Sequence, residues 1–359
     1  MQPVYLFLLM IFLGTNCAQK NPDSQAESTL KTKVLASNLH YPWEILWGPD
    51  NMIWMTERGG RISKVNPSTG QVTPLLTVAD VKSRGEGGLL GMVLHPQFQA
   101  NPYVFVAYNY ENGSGDYREK VVRFTYSGQA LTSPLTIFDN IDASGIHNGC
   151  RLLVIDSKLY ITTGDASNQS SPLNKNTVNG KVLRLNLDGT IPSDNPFPNN
   201  PVWSFGHRNP QGLVYANNIL YSSEHGPSSD DEINIIEKGR NYGWPNVEGL
   251  CNDASERAFC NANNVKQPIY VWSPTEAVCG LDYYSGDQIP EWKNSLLLCT
   301  LKGSKIIQLK LSADKKTITS GAEFFENDFG RIRDICISPQ GKVYICTSNG
   351  NDKLIEISK

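Results

Sequence analysis

The chain has 359 residues, of which 40% are hydrophobic and 19% charged, with a formal net charge of −3. That is enough for one large domain or two ordinary ones, and it excludes a small disulfide scaffold, a collagen and a disordered chain. The acidic balance offers no basic field for nucleic acid, and no apolar run is long enough for a permanent membrane span.

The chain opens with an apolar run, Val4 to Gly14, of the length of a signal-peptide core. Gly14-Thr15-Asn16-Cys17 follows and loosely matches a lipoprotein cleavage box, in which Cys17 would carry the lipid. Residues 1–17 therefore read as an export signal, either lipoprotein-type or plainly cleaved, and residues 18–32 as a polar tether. The expected location is the periplasm, or the membrane surface facing it or the cell exterior, with contact to lipid only through that anchor. Export permits disulfides. Cys251 and Cys260 bracket a short polar loop and are the best pair. Cys336 and Cys346 flank a Pro339-Gln340-Gly341 turn and either face each other across a hairpin or remain buried thiols. No cysteine or histidine spacing matches a zinc site.

From residue 33 onward the chain repeats a strand meander. The first strand of each unit falls at Trp43–Trp47, Leu89–Leu94, Arg151–Ile155, Gly212–Tyr215, Gly280–Tyr284 and Arg333–Ile337. After a turn comes an apolar–aromatic second strand, such as Ile53-Trp54-Met55-Thr56 or Leu159-Tyr160-Ile161-Thr162, and most units add an alternating third. Six units of this kind predict an all-β fold, a six-bladed β-propeller of four-stranded antiparallel blades over residues 33–359. The largest insertion lies between Ile235 and Pro274, and no convincing amphipathic helix is visible. The last unit lacks one outer strand, which Lys33-Val34-Leu35-Ala36 is placed to supply.

Blade geometry sorts the polar residues. The start of every first strand and the end of every second strand open on the same mouth of the central channel. That mouth receives Glu86, His147, Arg208, Asn209, Arg331 and Arg333 from first strands, and Asp165, Glu224 and Lys302 from second strands. Four cations in one funnel of an acidic protein suit a small polyanion, because guanidinium groups match carboxylates through their fork. The plainer reading is that these charges pair locally and seal the channel. His147 is the candidate acid–base group, and Asp165 is placed to orient it. The Gly226-Pro227 turn before an acidic run offers backbone carbonyls to Ca²⁺, although a surface acidic turn would look the same.

The segments Glu86-Gly87-Gly88-Leu89-Leu90-Gly91, His147-Asn148-Gly149-Cys150-Arg151-Leu152, Thr163-Gly164-Asp165, Gly206-His207-Arg208-Asn209-Pro210-Gln211-Gly212, Gly226-Pro227-Ser228-Ser229-Asp230-Asp231-Glu232-Ile233-Asn234, Asn241-Tyr242-Gly243-Trp244-Pro245, Leu301-Lys302-Gly303 and Arg331-Ile332-Arg333-Asp334 stand in one order along the chain. Together they resemble the soluble pyrroloquinoline-quinone (PQQ)-dependent glucose and aldose sugar dehydrogenases. The resemblance spans residues 33–359 and implies a six-bladed propeller. It also implies oxidation of an aldose or related alcohol at C1 by hydride transfer to the quinone, with His147 as general base supported by Asp165. Glu86, Arg208, Asn209, Lys302, Arg331 and Arg333 would bind the quinone. Gly226 and Pro227 would hold a Ca²⁺ that touches it, and Glu232 a second, structural Ca²⁺. A sugar and a small or protein electron acceptor are the implied partners. Two departures stand out: Glu86 replaces a Gln common in the family, which alters a cofactor-side contact, and Ile146 replaces an Asp of glucose-type members, pointing to a broader aldose or another polyol. The segment around Trp272 and Thr275 also departs from the family pattern. The competing readings are a non-catalytic extracellular propeller that binds a partner, and a Ca²⁺-dependent propeller hydrolase.

Overall fold

The computed structural model describes residues 30–359. The expected export signal, Cys17 and most of the expected tether lie outside the described residues. The expected tether ends earlier than residue 32, because Lys31 and Thr32 already pair with Ser358 and Ile357.

After β1 (Lys31–Leu39) the chain builds blades in sequence. Blade one is β2 (Pro42–Trp47), β3 (Ile53–Glu57), β4 (Arg61–Val65) and β5 (Val72–Thr77). Blade two is β6 (Leu89–Leu94), β7 (Tyr103–Glu111), β8 (Tyr117–Tyr126) and β9 (Leu131–Asp142). Blade three is β10 (Gly149–Ile155), β11 (Lys158–Thr163), β12 (Lys181–Asn186) and β13 (Val202–Phe205). Blade four is β14 (Pro210–Ala216), β15 (Ile219–Glu224), β16 (Asp231–Ile235) and β17 (Tyr270–Trp272). Blade five is β18 (Val278–Tyr284), β19 (Ser295–Thr300), β20 (Ile306–Leu311) and β21 (Ile318–Phe324). Blade six is β22 (Ile332–Ile337), β23 (Val343–Thr347) and β24 (Asp352–Ser358), completed on its outer edge by β1. The ring is thus closed by hydrogen bonds between the two ends of the described chain.

Burial explains why these segments become strands. The second strands are packed on both faces: β3, Ile-Trp-Met-Thr-Glu, is buried at every position, as expected for a run rich in β-branched and aromatic residues. The outermost strands are far more open to solvent, as in β5, where only Leu75 is buried. The clusters between blades form the core; one packs Trp43 of blade one with Phe105 of blade two and Leu159 and Leu183 of blade three.

The insertion between β16 and β17 contains the one helix that the sequence pattern did not reveal, α1 (Ala254–Asn263). It is short and forms around a capping box, Asp253 and Glu256 satisfying each other's backbone amides. Cys251 and Cys260 are joined by a disulfide that staples it. Cys336 and Cys346 are free and buried. They lie on neighbouring strands out of register, with Cys336 opposite Tyr344 and Cys346 opposite Asp334.

All six first strands share one irregularity. The register against the second strand slips near the mouth, between Pro42 and Ile45, Leu89 and Met92, Gly149 and Leu152, Pro210 and Gly212, Val278 and Leu281, and Ile332 and Asp334. Such bulges sharpen the local twist and re-aim side chains. Here they occur at the end of the ring where the functional candidates lie.

Candidate active site

His147 sits before β10 with a left-handed backbone, φ 57°. For a residue with a side chain this conformation costs of order 1 kcal/mol. Its surroundings hold it there: its N–H donates to Glu86 Oε2 at 3.2 Å, and its carbonyl accepts from Ala166 N–H at 3.0 Å. Gly164 passes so close that a Cβ there would lie 1.9 Å from the His147 carbonyl oxygen. This explains the glycine in Thr163-Gly164-Asp165.

The imidazole Nδ1 lies 2.8 Å from Asp165 Oδ1. Asp165 is 1% exposed. Its Oδ1 also accepts from Ser167 N–H at 2.8 Å, and its Oδ2 from the Trp244 indole at 2.9 Å. Burial pushes this carboxyl upward, but the hydrogen bond and charge of His147, with the Ser167 and Trp244 donors, outweigh it and hold Asp165 below the usual range. An ionised Asp165 accepts Nδ1–H and leaves Nε2 as the basic nitrogen.

His147, Asp165, Arg208, Pro227 and Trp244 line one open cleft of about 490 Å³, with Ile146 at its rim and Ser167, Asn168 and Gln169 along another wall. The Arg208 guanidinium lies over the Trp244 ring, 5.3 Å from its centroid. Its backbone N–H donates to Glu224, and Nη1 donates to the His225 carbonyl at 3.2 Å. Asn209 is fully buried, its Oδ1 accepting from Gly149 N–H at 3.1 Å. Arg333 is buried too and donates to Gln211 Oε1 at 2.6 Å. Burial works against the charge of Arg208 and of Arg333, pulling both below their ordinary values. His225, close to both, is pushed down to about 3 by burial and by the two guanidinium charges, and so is neutral. Lys302 and Arg331 are exposed. Lys302 reaches only Thr275 Oγ1, at 3.3 Å, and neither has a salt bridge among the described residues.

The four cations expected at one mouth are unequally placed. Arg333 is buried, Arg208 lines the cleft, and Lys302 and Arg331 are exposed. Glu86 is accounted for locally by the His147 backbone. Among the described residues Arg208 Nε, Arg333 Nε and Asn209 Nδ2 are buried without a partner, as is His225 Nε2. Unpaired buried donors are costly, and this set suits an anion with several acceptor oxygens, as a quinone with carboxylates has.

The neighbouring Gly226–Pro227 turn is equally unfinished. Gly226 is required there, since a Cβ would lie 1.9 Å from the Ser229 carbonyl oxygen. Its N–H donates to Asp231 Oδ1 at 2.9 Å. Among the described residues no donor reaches the Gly226 or Pro227 carbonyl. Glu232 accepts from Asn234 Nδ2 at 2.7 Å and Gly249 N–H at 2.9 Å but has no cationic partner. Burial, with the nearby Glu224, pushes its carboxyl well above the usual range. The two free carbonyls would suit one hard divalent cation, and the buried Glu232 carboxyl, ionised by such a charge, would suit a second. No cluster of three or more His, Cys, Asp or Glu side chains forms a metal site among the described residues, so backbone oxygens would have to supply part of any coordination.

Several contributors carry no chemical signature of their own in the sequence. Trp244 holds Asp165 from 79 residues away. His207, though histidine, is structural: fully buried, it links Ser204 Oγ at 2.8 Å to Glu224 at 2.9 Å and stacks on Tyr242.

Fold and site together define a six-bladed β-propeller with a His147–Asp165 pair in a cleft that Arg208 also lines. The glucose/sorbosone dehydrogenase family profile matches residues 39–356. The chain is 34% identical to quinoprotein glucose dehydrogenase B of Acinetobacter calcoaceticus, across 89% of this chain and 86% of that protein. It superposes on the soluble aldose sugar dehydrogenase of Escherichia coli in its apo form with a TM-score of 0.83 and 31% identity, over 92% of this chain and 99% of that one. The PQQ-bound aldose sugar dehydrogenase of Streptomyces coelicolor gives a TM-score of 0.78 and 29% identity, over 92% and 98%. The chain belongs to the glucose/sorbosone dehydrogenase family of quinoprotein oxidoreductases.

Proposed function

We propose that this protein oxidises an aldose or related alcohol at C1, with PQQ and Ca²⁺ as cofactors and His147 as general base. The observation that carries the reading is the His147–Asp165–Trp244 chain lying in one cleft with Arg208, beside the unpaired buried donors of Asn209 and Arg333.

Asp165 fixes the imidazole tautomer, and Nε2 takes the hydroxyl proton of the sugar. The electron pair of the C1–H bond leaves as hydride while the C1–O double bond forms. Arg208, Asn209, Arg333, Lys302 and Arg331 would hold the carboxylates and oxygens of the quinone, and Glu86 would help through the His147 backbone. The Gly226 and Pro227 carbonyls would hold a Ca²⁺ serving the quinone, and Glu232 would hold a second ion. When bound, PQQ accepts the hydride and Ca²⁺ makes it more electrophilic. Electrons then pass to a small or protein acceptor. Ile146, 44% exposed at the cleft rim, supplies an apolar edge where a polar sugar contact would otherwise stand, which favours aldoses or polyols other than glucose. Export from the cytoplasm agrees with the Cys251–Cys260 disulfide.

The test is titration of cofactor-free protein with PQQ and Ca²⁺, followed by a panel of aldoses. The expected result is Ca²⁺-dependent quinone binding and bleaching to the reduced form by at least one sugar. No binding at micromolar quinone would overturn the reading in favour of a binding propeller.

A further inference from the structure

Lys181 begins β12 and is fully buried. Among the described residues it has no carboxylate partner. Its Nζ instead donates to three main-chain carbonyls, Asn179 at 2.7 Å, Ser171 at 2.8 Å and Pro172 at 2.9 Å, with Thr177 Oγ1 at 3.5 Å. An ammonium has three N–H donors, and here each has a carbonyl. All four partners belong to the loop 164–180 between β11 and β12. Long loops without secondary structure in a compact domain are usually functional, and this one carries Ser167, Asn168 and Gln169 to the cleft wall.

The loop is wired from Lys181 to the base. Ser171, which accepts from Lys181, donates its N–H to the Asn168 carbonyl at 3.1 Å. Asn168 donates its N–H to the Asp165 carbonyl at 2.8 Å, and Ser167 N–H binds the Asp165 carboxylate. Pro172 also accepts from Gly206 N–H, two residues before Arg208. A packing role alone would suit an apolar side chain, since burying a charge with only dipoles for company is unfavourable; burial pulls Lys181 down to about 7.

We propose that Lys181 is a positioning residue for sugar oxidation: its ammonium pins the loop 164–180, so that Ser167–Gln169 form the sugar-facing wall and Asp165 stays aligned on His147. This rests on the sugar-oxidising reading above.

Lys181→Met keeps the apolar stem and removes the charge and the donors. In the quinone-loaded protein we expect sugar KM to rise about tenfold while quinone affinity stays within twofold. Amide exchange over residues 166–178 should quicken at least tenfold, with β10 and β11 unchanged. A merely structural lysine would lower the active fraction and leave KM and local exchange alone, and that result overturns the proposal. Should Lys181→Met fail to fold, acetic anhydride labelling of the wild-type protein decides. Lys181 should label at least threefold more slowly with saturating sugar than without, and equal labelling overturns the proposal. If the wild type oxidises no sugar, the function fails and this role with it. If sugar is oxidised normally but Lys181→Met leaves loop exchange unchanged, only the role fails.

Discussion

Several residues hold His147 in an unfavourable backbone conformation while its ring meets a buried carboxylate. Asp165 accepts three donors, from His147, Ser167 and Trp244, so it remains ionised and the imidazole is held in one tautomer. His147→Gln retains a polar side chain but no base. We expect it to keep quinone affinity within a fewfold and to lower kcat by about 10²–10⁴, the usual contribution of general-base catalysis; stopped-flow reduction of bound quinone by sugar measures this. Unchanged reduction would remove His147 from the mechanism. Ile146, next in the chain, has no such network and contributes shape alone.

At the scale of the strand, β8 carries a carboxylate with no evident catalytic task. Glu119 is fully buried opposite Asn109, and neither of its carboxylate oxygens has a hydrogen-bond partner. Burial pushes its carboxyl up to about 8. The folded protein thus holds a proton at neutral pH that the unfolded chain releases above about 4.5. The stability linked to that proton is complete below about pH 4.5 and is lost as pH rises through 8. Each pH unit in this window weakens the fold by about 1 kcal/mol. Glu119→Gln should remove that slope, and denaturant titrations of both proteins at pH 5, 6.5 and 8 would show it. Equal slopes would mean that Glu119 is ionised in the folded state.

Across the whole ring, one side chain bridges blades that are distant in sequence. Arg151 on β10 contacts Glu44 of blade one at 2.5 Å, Asp334 of blade six at 3.1 Å and the Gln211 carbonyl of blade four at 2.8 Å. Burial pulls the Arg151 guanidinium down, but the two carboxylates outweigh it and keep it charged. Asp334 in turn accepts from Ile45 N–H at 2.8 Å. This network crosses the channel beneath the mouth and complements the circumferential closure by β1 and β24. Arg151→Met would leave two buried carboxylates uncompensated. The expected loss is about 3–5 kcal/mol, read as a lower denaturant midpoint, with the loss shrinking at acid pH as the carboxylates protonate. A loss below about 1 kcal/mol would show that the ring does not depend on this tie.

Much of this protein is legible without coordinates, because a strand meander leaves a local signature. Alternation, turn residues and apolar–aromatic second strands mark six blades, and blade geometry alone sends His147, Asp165, Arg208 and Arg333 to one mouth. The closing strand near residue 33 was readable as the missing edge, and Cys251–Cys260 as the best cysteine pair. Pairwise geometry was not legible. The Trp244–Asp165 bond joins residues from different blades, the bulges that aim each first strand follow from twist, and Cys336 misses Cys346 by register. Lys181 looks like an ordinary strand-opening lysine until the loop folds its carbonyls around it. Periodicity in a chain specifies elements and their order, whereas contacts between residues distant in sequence exist only once the ring has closed.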